Sequence, residues 1–153
     1  MLTRLAPLLV LLSVLGGCRS TAPSGEAPQF LATVDSAMRT LPFSEAVRVG
    51  NVLYLSGQVG VLPGTLDLAP GGIEAESVQT LANIQTVLER HGSSLGEVFK
   101  CTVFLADIAE WPAFNAVYSR TFSAPYPARS ALASTGLALG ARVEVECLAY
   151  VAE

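Results

Sequence analysis

Apolar positions along this chain change period several times, and each change marks an element. Val47-Arg48-Val49 and Val52-Leu53-Tyr54-Leu55 are β-rich runs on either side of Gly50-Asn51, which predicts a β-hairpin. Leu62 to Gly72, with two Pro and three Gly, reads as a loop. From Glu74 to His91 the spacing lengthens to three and four. Val78, Leu81, Ile84 and Leu88, with Ala82 and Val87 beside them, predict the apolar face of a helix. Glu74 and Glu76 suit its positive start, Arg90 and His91 its negative end, and Gly92 a stop.

Glu97 to Leu105 predicts a strand, and Glu110 to Phe122 a second helix with Pro112 tolerated in its first turn. Its apolar face is Phe114, Val117, Tyr118 and Phe122. After the connection Ser123 to Pro127, Arg129 to Ser134 and Arg142 to Val151 predict strands split by a Gly136–Gly140 loop. The order β-β-α-β-α-β-β predicts an α+β domain. On the last strand Val143, Val145 and Cys147 point one way, Glu144 and Glu146 the other. A solvated sheet face accounts for the two acids. The other reading buries that face against a second subunit, with the acids at a site.

The N-terminus follows a different pattern. Arg4 precedes an apolar run from Leu5 to Val14 that ends in Leu15-Gly16-Gly17-Cys18. A short basic start, a short apolar core and small residues predict a secretory signal over residues 1–17. The run falls short of the ~20 residues that span a bilayer. Leu-Gly-Gly-Cys resembles the bacterial lipobox, which makes Cys18 the expected lipidation site and anchors the chain in the membrane. Arg19 at the following position implies the outer membrane, facing the periplasm. Residues 18–36 read as a flexible tether and 37–153 as one folded domain.

The chain carries 9 basic and 13 acidic side chains, net −4. Removing residues 1–17 takes away Arg4 and no acid, which brings it to −5. Lys100 is then the only lysine. A mildly acidic domain lacks the electrostatic footprint of a phosphate-backbone partner, so no nucleic acid is expected. With no Cys-x-x-Cys and a single histidine, His91, no metal site and no His-based triad are expected. His91 reads as a surface cation at a helix end. Cys101 and Cys147 lie among apolar strand residues and read as free buried thiols. A disulfide needs Cα atoms within about 7 Å, which the sequence does not reveal.

Eight short segments occur in order across Leu41 to Glu153: Pro42-Phe43-Ser44-Glu45-Ala46, Val49-Gly50-Asn51, Ser56-Gly57-Gln58, Gly72-Ile73-Glu74-Ala75, Thr102-Val103-Phe104-Leu105, Phe114-Asn115-Ala116-Val117-Tyr118, Pro127-Ala128-Arg129-Ser130 and Val143-Glu144-Val145-Glu146. Together they resemble the RidA/YjgF family of reactive intermediate deaminases. The resemblance implies a chorismate-mutase-like fold, with one mixed sheet packed against two helices. It implies a homotrimer with clefts between subunits, and hydrolysis of 2-imino acids or their enamine tautomers to 2-oxo acids and ammonia without metal or organic cofactor.

It also implies roles. Arg129 holds the substrate carboxylate, since arginine offers a fixed fork of donors. Glu144 orients the attacking water and moves a proton. Phe43, Ser56, Gly57 and Asn115 line the cleft. Phe43 stands where the family usually has Tyr, keeping an aromatic wall without the hydroxyl, and Val59-Gly60 replaces the Ile-Pro that often follows Ser-Gly-Gln. The alternative is a non-catalytic trimeric module that binds small carboxylates.

Overall fold

The computed structural model describes residues 26–152. Seven strands form one sheet: β1 (Gln29–Leu31), β2 (Ala46–Val49), β3 (Val52–Leu55), β4 (Gln58–Val59), β5 (Val98–Leu105), β6 (Ala128–Ala133) and β7 (Val143–Tyr150). Their order is β1-β2-β3-β7-β5-β6, with β4 also paired to β7. Only β5 and β6 run parallel, joined through helix α2 (Trp111–Thr121) as a crossover. With helix α1 (Gly72–Arg90) this is an α+β fold with a mixed sheet and two helices. The signal segment, Cys18 and the first part of the tether lie outside the described residues.

The alternation in β5 and β7 builds the core. Cys101, Val103 and Leu105 of β5, with Val143, Val145, Cys147 and Ala149 of β7, are buried against Leu81, Ile84, Leu88, Phe114 and Val117 of the helices. Each fully buried leucine, valine or phenylalanine contributes ~1.5–3 kcal/mol. The opposite face is left to Glu144, Glu146, Tyr54, Leu132 and Tyr150, of which the last three are 43–46 % exposed.

Four expectations change. Gln29–Leu31 is not tether: it pairs with Arg48, Val47 and Ala46, so the sheet begins eight residues before the expected boundary at residue 37. Three residues carry too little pattern to reveal an edge strand. The buried stripe of α1 is also rotated. Val78 and Ala82 are exposed while Ser77 and Thr80 are buried; Ser77 Oγ donates to Ile73 O at 2.5 Å and so sits in the core without an open donor, whereas the Thr80 hydroxyl has no partner among the described residues. His91 is no free surface cation. Its Nε2 lies 2.8 Å from Glu45 Oε1, and Arg90 bonds the other oxygen of this buried carboxylate.

The fourth change concerns Cys101 and Cys147, which form a disulfide and are not free thiols. They are directly opposite on antiparallel β5 and β7, with Cα atoms 4.1 Å apart. Side chains in such a pair lie on the same face at bonding range. The bridge closes a stretch with a sequence separation of 46. Replacing both cysteines with alanine is expected to lower unfolding free energy by about 2–4 kcal/mol through the regained entropy of the unfolded chain. Urea denaturation of the double variant against the oxidised protein measures it.

Candidate active site

Arg129 and Glu144 occupy different faces of the sheet. Arg129 is opposite Cys101 on β5, so it shares the helix face, whereas Glu144 is opposite Phe104 and points away from the helices. Three residues of strand also separate them, about 10 Å along the chain direction. Within one protomer they form two half-sites.

The first half-site is built by β6 and α2. The Arg129 guanidinium lies over the Tyr118 ring at 4.4 Å and within 5.2 Å of Trp111 and 5.9 Å of Phe114. Its Nη2 donates to Asn115 Oδ1 at 2.7 Å. Helical spacing makes this cradle, since Trp111, Asn115 and Tyr118 follow one another at four and three. Among the described residues, the buried Nη1 has no hydrogen-bond partner, and neither has the Tyr118 hydroxyl. A buried guanidinium nitrogen without an acceptor is costly, and a ligand carboxylate would satisfy it. Burial pushes the Tyr118 hydroxyl above its ordinary pKa, partly offset by Arg129, so it stays a neutral donor. A cleft of about 310 Å³ opens here between Arg129, Asn115, Tyr118 and Tyr126.

The second half-site lies where β3 ends and β4 begins on the same edge of β7. The break falls at Ser56-Gly57. A Cβ on Gly57 would stand 2.0 Å from Glu144 Oε1, so only glycine leaves the carboxylate room. Phe43, half exposed, lines the same cleft with Leu41, Leu66 and Leu139. Burial, and to a lesser degree Glu146, raises the Glu144 carboxyl above its ordinary pKa. That direction strengthens the carboxylate as a proton acceptor.

The sequence-derived residues thus divide. Asn115 meets Arg129, while Phe43 and Gly57 meet Glu144. Ser56 joins neither cleft. Its hydroxyl donates to Ser44 O at 2.7 Å and its N–H to Glu45 O, so it fastens the Phe43 segment to the end of β3. Tyr118 and Trp111 belong to the site beyond the sequence-derived residues, and their helical spacing from Asn115 is the signal in the chain that points to them. Leu139 carried no signal. No cluster of potential metal ligands occurs among the described residues.

A sequence model of the family described as Endoribonuclease L-PSP matches residues 34–151. A goat (Capra hircus) protein named 2-iminobutanoate/2-iminopropanoate deaminase is 39 % identical over 121 residues, 79 % of this chain and 88 % of its own. The chain belongs to the RidA/YjgF family. Another relative, Reactive Intermediate Deaminase A, chloroplastic, of Arabidopsis thaliana, is 32 % identical over 130 residues, 85 % of this chain and 70 % of its own. Among solved structures, RidA from the Antarctic bacterium Psychrobacter sp. PAMC 21119 matches with a TM-score of 0.74 and 36 % identity, over 80 % of this chain and 99 % of that one. RidA/YjgF membership therefore rests on sequence across residues 34–151 and on fold over 80 % of the chain.

Proposed function

We propose that this protein hydrolyses 2-imino acids, and their enamine tautomers, to 2-oxo acids and ammonia. The observation that carries the reading is the buried, unpartnered Nη1 of Arg129 at the mouth of an open cleft, in a chain similar to a goat protein named 2-iminobutanoate/2-iminopropanoate deaminase. Arg129 grips the substrate carboxylate through two nitrogens and holds the imine carbon in place. Glu144 accepts a proton from water as its oxygen bonds to that carbon. That proton passes to the nitrogen, giving a carbinolamine; its hydroxyl proton then follows to the nitrogen by way of Glu144, the C–N bond breaks, and ammonia leaves as the C=O forms. Imine and water are thereby converted to 2-oxo acid and ammonia, with no oxidant or reductant.

The half-sites come together across subunits. In a homotrimer, the Arg129 face of one protomer meets the Glu144 face of the next, and the exposed Tyr54, Leu132 and Tyr150 of the outer sheet face become covered. The protein works outside the cytoplasm, held to the outer membrane through lipid on Cys18. The Cys101–Cys147 disulfide supports that compartment, because such bonds persist where the surroundings are oxidising. Nucleic acid is not its partner, given a net charge of −4 and one lysine.

The test generates 2-imino acids with an amino-acid oxidase and follows their decay with and without the purified protein. Faster decay supports the deaminase. Unchanged decay, from a protein shown by mass to be a folded trimer, rejects it. Saturable binding of 2-oxo acids in that case would select the carboxylate-binding module, a reading that the missing hydroxyl at Phe43 favours.

A further inference from the structure

The Glu144 cleft has walls that imine hydrolysis alone does not require. Holding a carboxylate and a water takes Arg129 and Glu144, not a ring of leucines. Yet Leu41, Leu66 and Leu139 line the cleft, 37, 43 and 54 % exposed. Leu139 is the most informative of them. Its backbone is left-handed, with φ 59° and ψ 8°, and it is the one non-glycine residue at positive φ among those described. A side chain with a Cβ pays for that conformation. An exposed leucine recovers nothing from core packing, and glycine would fit the same backbone freely. Strain of this kind persists at sites that use the side chain it presents.

The cleft's charge narrows what could enter. Within one protomer Glu144 is the only charged residue among its described lining, and the Arg129 that enters from the next protomer is already committed to the carboxylate every 2-imino acid carries, so no lysine or arginine is left to receive a second acidic group. Glu146, two residues along β7, points to the same side of the sheet and adds to the negative field. The cleft is about 320 Å³, the small end of the ~300–1,000 Å³ typical of ligand sites and ample for one side chain.

We propose that Leu139, with Leu41 and Leu66, forms the subsite for the substrate's side chain, and that the protein selects 2-imino acids bearing large apolar side chains, branched or aromatic, over small or acidic ones. The inference rests on the deaminase reading for its chemistry. It names which imines that same site takes.

The experiment compares kcat/KM for imines generated in situ from leucine, phenylalanine, alanine and glutamate, using wild type, Leu139→Gly and Leu66→Ala. Wild type is expected to favour the leucine imine over the alanine imine by about tenfold or more, the scale on which apolar pockets discriminate. The glutamate imine should be slowest. Leu139→Gly suits its backbone and should fold, and it should reduce the leucine rate about tenfold more than the alanine rate. Equal wild-type rates would overturn the inference while leaving the deaminase standing. So would a Leu139→Gly effect uniform across imines, or one accompanied by a change in oligomer mass, which would make Leu139 an interface residue. If no imine is turned over, the deaminase reading falls, and the subsite is judged by calorimetry. Binding of 4-methyl-2-oxopentanoate tighter than pyruvate by about tenfold upholds it, and equal binding rejects it.

Discussion

Arg129→Ala is expected to lower kcat/KM for 2-imino acids by about a thousandfold while the protein remains folded. In the proposed reaction the guanidinium grips the substrate carboxylate with two charge-assisted hydrogen bonds. Each contributes about 1.5–3 kcal/mol, and ~4 kcal/mol together corresponds to that factor. The loss in stability should be much smaller. Arg129 is only partly buried, and what it gives the fold is its stacking on Tyr118 and its hydrogen bond to Asn115, about 1–2 kcal/mol together. Arg129→Lys should recover about tenfold at most, since an ammonium keeps the charge but not the flat fork that Trp111 and Tyr118 orient. The decay of oxidase-generated imines, followed with thermal denaturation of the same samples, separates the two effects. A rate loss matched by unfolding would mean that Arg129 serves the fold and not the substrate.

Glu144→Gln should lower the rate by a factor of about 10²–10⁴, the range typical of a positioned acid–base group. It should also make the protein more stable. Burial, then repulsion from Glu146, raises the folded-state pKa of Glu144 above its unfolded value. The folded protein therefore holds this proton more tightly than the unfolded chain. As pH rises from the unfolded value through the raised folded one, that advantage is lost, and above both the ionised carboxylate costs stability. Glutamine has no such cost. The Tm gain of Glu144→Gln over wild type should thus be larger at pH 8 than at pH 4. The wild-type kcat/KM should rise with pH through a value above the ordinary carboxylate range. A Tm difference that does not change with pH would refute the assignment.

What the sequence revealed depended on the length of the pattern carrying it. β5, β7, α1 and α2 each repeat their period several times, and their predicted bounds differ from the observed ones by two residues or fewer. β1 has three residues and no repeat, so it looked like tether. The disulfide depends on register: Cys101 opposite Cys147 is a fact about two strands aligned in space, 46 residues apart in sequence. The candidate residues were legible through the ordered segments of a family, but their grouping was not. Arg129 and Glu144 look like neighbours on successive strands. With β5 between β6 and β7, they fall on opposite faces. Leu139 was hidden because a left-handed leucine leaves no mark in the chain.

The separation of those two residues has a genetic consequence. If each cleft draws its arginine from one protomer and its glutamate from the next, a copy damaged at Arg129 still owns a sound glutamate face, and a copy damaged at Glu144 a sound arginine face. Two dead alleles can then rescue each other. In rings assembled at random from equal amounts of both, about one cleft in four would join the two intact faces, as cyclic symmetry dictates. A cell carrying both lesions would keep roughly that share of its capacity, whereas a cell carrying either alone would have none.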